Sequence, residues 1–162
     1  MKEILDACCG SRMFWFDKHN PHVLYVDKRR EVLTAKDRDK IRTIEVNPDV
    51  VADFTHLPFN DNSFYMVVFD PPHLKNLGDT SWMAKKYGKL PQNWKEVIRK
   101  GFDECMRVLK PHGTLVFKWN ENQIKVSEVL SLIPYEPLFG HTTGRQSKTI
   151  WMCFMKLPNN TK

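Results

Sequence analysis

Four short apolar runs in the first half of the chain each end in an acid or a glycine. Ile4-Leu5-Asp6-Ala7-Cys8-Cys9 stops at Gly10, and Val23-Leu24-Tyr25-Val26 stops at Asp27. Asp49-Val50-Val51-Ala52 stops at Asp53, and Tyr65-Met66-Val67-Val68-Phe69 stops at Asp70. Runs of this length, bounded by turn formers, predict buried strands. The second half supplies elements to cover them. Trp94, Val97, Ile98, Phe102, Cys105, Met106 and Leu109 recur at helical spacing until Pro111-His112-Gly113 ends the helix, and Thr114–Trp119 reads as a strand. Val126, Val129, Leu130 and Ile133 predict a second amphipathic helix. Thr149–Lys156 predicts a last strand, paired with one around Pro137–Phe139 across the loop Gly140–Ser147. Ser11–Lys18 is expected to be a short helix, with Met13, Phe14 and Trp15 over the first strand. Glu31–Ala35 and Ile41–Val46 are expected to form a hairpin. Strands alternating with helices predict an α/β fold, a mostly parallel sheet with helices on both faces.

A chain of 162 residues has room for one domain, expected over residues 1–157, with a polar tail at 158–162. The longest apolar runs fall far short of a membrane span, and Asp6 interrupts the stretch that a signal peptide would need. The expected setting is cytoplasmic, away from membranes. Cys8, Cys9, Cys105 and Cys153 form no CxxC pair and have no zinc spacing, so reduced thiols and no metal are expected. The net charge is +6. Leu74–Lys100 carries seven Lys/Arg against two acids, and from His141 onward there are four basic residues and no acid. Such clustering suits a polyanionic partner.

In sheets of this kind ligands bind beyond the carboxyl ends of the strands, where Gly10, Asp27, Asp53 and Asp70 fall. Each alone is compatible with an ordinary turn or surface residue. In this order they describe a site for an adenosine-bearing cofactor. A glycine after the first strand admits close backbone approach, and an acid after the second accepts from both ribose hydroxyls. An acid after the third takes an exocyclic amine.

The stretches ILDACCG, LYVDKR, VVADFTHLPFNDNSFYMVVFDPPH and FDECMRVLKPHGTLVFKWNE resemble the motifs of class I S-adenosylmethionine-dependent methyltransferases, over roughly Ile4 to Lys156. The resemblance implies a Rossmann-like sheet with a reversed final hairpin. It also implies S-adenosylmethionine as cofactor, held by Asp6, Ala7, Gly10, Asp27, Lys28, Asp53 and Phe54. The first motif departs from the family in having Ser11-Arg12-Met13 after Gly10 in place of further glycines.

Asp70-Pro71-Pro72-His73 resembles the (D/N)PP(Y/F/W) motif of methyltransferases acting on planar amino nitrogens, N6 of adenine among them. The resemblance makes these four residues the catalytic set. An exocyclic amine is a poor nucleophile because its lone pair is delocalised into the ring. A carboxylate and a carbonyl accepting its two N–H bonds draw the nitrogen toward tetrahedral geometry. The prolines keep the loop rigid. The fourth position stacks on the base in the family, and here it is His73.

The basic connection 74–93 is expected to be a substrate-side loop. Lys85, Lys86 and Tyr87 within it, Trp119 at the end of the fifth strand and Arg145 before the last strand are the candidate substrate contacts. Trp94 belongs to the helical stripe. The expected partner is RNA or DNA, with a partner subunit for target recognition. Two alternatives stay open: methylation of a protein amide or small molecule, and a binding protein with a decayed cofactor site.

Overall fold

The computed structural model describes residues 2–37, 39–78, 81–142 and 148–158. Its strands are β1 (Ile4–Asp6), β2 (Val23–Asp27), β3 (Glu31–Asp37), β4 (Lys40–Val46), β5 (Val50–Val51), β6 (Phe64–Phe69), β7 (Leu109–Asn120), β8 (Phe139–Thr142) and β9 (Thr149–Met155). Its helices are α1 (Trp82–Tyr87), α2 (Trp94–Val108) and α3 (Val126–Leu130). Among the described residues, seven strands form one sheet in the order β5-β2-β1-β6-β7-β9-β8. The first five in that order run parallel. β9 runs antiparallel to β7, and β8 to β9, which is the reversed final hairpin. β3 and β4 pair separately, as the hairpin expected between the second and third sheet strands.

Alternation along the strands divides the sheet into two faces. Leu5, Val26, Phe69, Phe117 and Phe154 join the main core with Ile98, Phe102, Cys105 and Met106 of α2 and Val129 of α3. Val23 and Tyr25 point the other way, packed with Cys9, Ile4 and Trp15. The helical stripe read from 94–109 is this buried face of α2, which ends at Val108, just before Pro111-His112-Gly113.

The helix expected over Ser11–Lys18 is absent; turns take its place. Gly10 and Arg12 both have left-handed backbones, with φ of 49° and 56°, which a right-handed helix cannot contain. The Arg12 guanidinium instead donates to the Lys18 and Asn47 carbonyls and lies 3.9 Å from the Tyr25 ring centroid. Trp15 sets its edge on Tyr25, and Phe14 packs on Trp151, but Met13 is exposed. A second difference is β8. It occupies Phe139–Thr142, extending into the segment expected as a loop, because His141 and Thr142 continue the ladder on Trp151 and Ile150.

The connection 74–93 also contains α1. Ser81 starts it by accepting from the Ala84 N–H, and Gly88, at φ 78°, ends it. The Leu90 N–H donates to the Leu74 carbonyl, and both side chains are buried, so the excursion is closed at its base.

Candidate functional site

The sheet order reverses between β1 and β6, since β2 and β5 lie to one side of β1 and β7 to the other. A cleft opens there, beyond the carboxyl ends of β1, β2 and β6. Asp6, Ala7, Gly10, Asp27, Lys28 and Phe54 line it on one side. Asp70 and Pro72 line it from the end of β6, and Lys86, Tyr87, Gly88 and Lys89 close over it. Most of the residues singled out from the sequence therefore meet in one place.

Asp27 is buried at the end of β2. Its Oδ2 accepts from the Gly10 N–H at 2.9 Å, and its Oδ1 accepts from the Arg29 N–H and Nε. The carboxylate thus holds the left-handed Gly10 turn against β2. Oδ1 is taken up by its two Arg29 donors, and Oδ2 has a lone pair left for a ligand hydroxyl. Asp6 is also buried and accepts from the Trp15 indole at 2.7 Å and from the Cys8 N–H. Burial dominates these bonds and pushes its pKa up to about 7. Burial likewise raises the Cys8, Cys9 and Cys105 thiols, which are free and unreactive in character.

Phe54 lies edge-on to Phe69, with centroids 5.2 Å apart, and gives the cleft an apolar wall. The loop carrying it is tied to α2 by Arg107, which donates to the Leu57 and Phe59 carbonyls, to Asp61 and to both Glu104 oxygens. Glu104 in turn accepts from the Leu57 N–H.

Asp70 forms an ion pair with Lys118 of β7, Oδ2 to Nζ, at 2.7 Å. Among the described residues its Oδ1 accepts no hydrogen bond, so one oxygen is free to take an incoming N–H. In the sequence Lys118 stands at the carboxyl end of the fifth strand, where it either borders the substrate pocket or serves as a satisfied structural charge. Its signal in the sequence is a lone cation inside the apolar run Leu115-Val116-Phe117-Lys118-Trp119.

Five candidates lie away from the cleft lining. Asp53 is exposed and turns back on its own loop, accepting from the Thr55 N–H and hydroxyl. Pro71 is buried. His73 is half-buried, with ring centroids 6.1 Å from Tyr87 and 6.3 Å from Trp119. Burial lowers its pKa despite the Asp70 carboxylate, so the ring is neutral at neutral pH. Lys85 donates to the Thr34 carbonyl, and its own carbonyl accepts from Arg29, which pins α1 to β3. Trp119 is corrected from substrate contact to core. It is fully buried, and its indole donates to the Ile124 carbonyl. Arg145 lies outside the described residues.

The cleft fits a nucleoside sulfonium on its donor set. Asp27 offers an acceptor for a hydroxyl, the Gly10 turn presents bare backbone, and Phe54 offers an apolar surface. Among the described residues no cluster of three or more His, Cys, Asp or Glu is placed to hold a metal ion. No helix is long and apolar enough to cross a membrane.

No protein-family model matches the chain, and no curated protein matches it in sequence. Solved structures do match in fold. A Methanosarcina mazei S-adenosylmethionine-dependent methyltransferase is 14% identical with a TM-score of 0.58, over 97% of this chain and 94% of that one. The N-methyltransferase NodS of Bradyrhizobium japonicum is 12% identical with a TM-score of 0.56, over 96% and 85%. A complex of the Haloferax volcanii Trm112 methyltransferase activator with a methyltransferase matches at 12% identity and a TM-score of 0.53, over 96% and 82%. With its sheet order, reversed hairpin and strand-end cleft, the chain has the Rossmann-like fold of the S-adenosylmethionine-dependent methyltransferases.

Proposed function

We propose that the chain is an S-adenosylmethionine-dependent N-methyltransferase acting on the exocyclic amine of a nucleobase, N6 of adenine, in RNA or DNA. The observation that carries this reading is Asp70. It stands at the end of β6, in a rigid Asp-Pro-Pro turn, inside the same cleft as Asp27 and Gly10. When bound, the cofactor supplies an electrophilic methyl group on a sulfonium. Asp27 would accept a ribose hydroxyl through Oδ2, and Phe54 would offer the adenine ring an apolar face. Asp6 keeps the Trp15 and Cys8 turn in place at the edge of the cleft. Asp70 accepts an N–H from the substrate amine through Oδ1, which localises the nitrogen lone pair and aims it. The amine nitrogen takes the methyl group as the bond from that carbon to the sulfonium sulfur breaks, which leaves a neutral thioether, and the surplus proton of the amine goes to water.

The half-buried His73 supports the rival acceptor, a protein amide or small molecule, because it is not among the residues that line the cleft. The basic loop over the cleft and the net charge of +6 favour the polyanion. The setting we infer is cytoplasmic. A partner subunit for target recognition draws support from the activator in the Haloferax volcanii complex.

The test is methyl transfer from labelled S-adenosylmethionine to total RNA, unmethylated DNA and protein extract, with Asp70→Ala as control. Label in N6-methyladenine, lost in the variant, is the expected result. Label in protein alone would overturn the nucleobase assignment. Absence of both transfer and cofactor binding would overturn the enzyme.

A further inference from the structure

His73, the position after Asp-Pro-Pro, packs with Tyr87 and Trp119 and does not line the cleft, so a flat acceptor needs another surface. Such a surface lies on the other side of Asp70. Lys118, ion-paired to Asp70, sits across the β7–β9 ladder from Trp151, with Nζ 5.5 Å from the Trp151 ring centroid. Trp151 packs against Phe14, with centroids 4.8 Å apart and planes at 53°. Phe14 lines the cleft together with Asp70, which closes the circuit. These side chains share the sheet face away from α2, because Phe117, Trp119 and Met152 alternate toward the main core. Both aromatic rings are half-buried, and the exposed Met13 of the same turn also lines the cleft.

We propose that Phe14, backed by Trp151, is the wall on which the acceptor ring stacks, with Lys118 holding Asp70 in the plane of the amine. This rests on the methyltransferase reading above and narrows it. The acceptor is a planar heteroaromatic amine presented from a single strand, and His73 is packing for Tyr87 and Trp119. The arrangement meets both needs of the chemistry. The ring lies flat on an aromatic surface, and the amine, in the ring plane, points its N–H at the open Asp70 oxygen. Stacking of one base on an aromatic side chain changes affinity about ten- to a hundred-fold.

The experiment is steady-state methylation of adenine-containing single-stranded RNA and DNA oligonucleotides by the full chain. S-adenosylmethionine affinity is measured in parallel by calorimetry. Trp151→Ala and Phe14→Ala are expected to raise the acceptor KM about tenfold or more and to leave cofactor affinity unchanged. Trp151→Phe should restore most of the loss. Should the alanine variants fail to fold, Trp151→Leu and Phe14→Leu keep the apolar volume and remove the aromatic face, with the same expectation. Acceptor KM indifferent to Trp151, or cofactor affinity falling in step with it, overturns the wall. So does a larger KM effect from His73→Ala. A wild-type chain that methylates neither oligonucleotide overturns the nucleobase reading and the wall together. The RNA and DNA arms identify the polymer.

Discussion

Lys118 Nζ lies 2.7 Å from Asp70 Oδ2, so a lysine of β7 is ion-paired to the acid at the end of β6. Each side chain is about a quarter exposed (26% and 23%), where an ion pair adds little stability. Its effect is on geometry: one carboxylate oxygen is engaged, and the other accepts no hydrogen bond from the described residues.

Lys118→Met should therefore lower kcat about ten- to a hundred-fold, with cofactor affinity unchanged and little loss of thermal stability. Lys118→Arg should recover most of the rate, since it keeps the charge. A variant with normal kcat would show that Asp70 orients itself without help.

Gly101 of α2 faces Phe54 and Phe69, and a Cβ there would come within 2.5 Å of Phe54 Cδ2 and 2.9 Å of Phe69 Cζ. Alanine is the better helix former by about 1 kcal/mol, but overpacking costs about 1–3 kcal/mol. Gly101→Ala is expected to be neutral to destabilising and to weaken S-adenosylmethionine binding severalfold, because Phe54 forms a wall of the cleft. Denaturant unfolding and calorimetry measure the two effects. Unchanged cofactor affinity in a folded variant would detach Phe54 from the cofactor site.

Asp6 titrates near 7 in the folded chain, against 3.8 for an unperturbed aspartate. Between those values the folded state holds a proton that the unfolded state has released. Asp6 thus contributes stability fully present below 3.8 and lost as pH rises through 7. The slope from this group is at most about 1.4 kcal/mol per pH unit. Asp6→Asn should flatten unfolding free energy against pH over that window. An unchanged profile would mean that Asp6 ionises normally despite its burial.

Arg107 makes its hydrogen bonds to Glu104, Asp61 and two carbonyls of the loop that carries Phe54. Arg107→Ala leaves the Leu57 and Phe59 carbonyls without this donor and is expected to cost about 2 kcal/mol. Lysine cannot reproduce the planar fork, so Arg107→Lys should recover only part of it. Chemical denaturation gives the stability, and hydrogen exchange over residues 54–62 locates the loosening. A loss spread evenly over the chain would contradict a local tie.

Much of the architecture is legible in local pattern. The buried strands, the stripe of α2, the β3–β4 hairpin and the strand-end acids follow from short-range periodicity and turn chemistry, which neighbours in the chain decide. Asp70, Asp27 and Gly10 line one cleft because a parallel sheet collects its carboxyl ends on one side. The turn over Ser11–Lys18 was illegible as such. Its left-handed Arg12 is held by carbonyls of Lys18 and Asn47, the second being 35 residues away.

The same division runs through the site. Residue types and spacing by themselves determined the sheet and the acids at its strand ends. The fold alone decided that Asp53 turns back on Thr55, that Trp119 is core and that Lys118 pairs with Asp70. The physical reason is that a side chain's partner is set by which face of which strand it occupies once distant strands pair. Lys118 and Trp119 are neighbours in sequence and face opposite sides of one sheet.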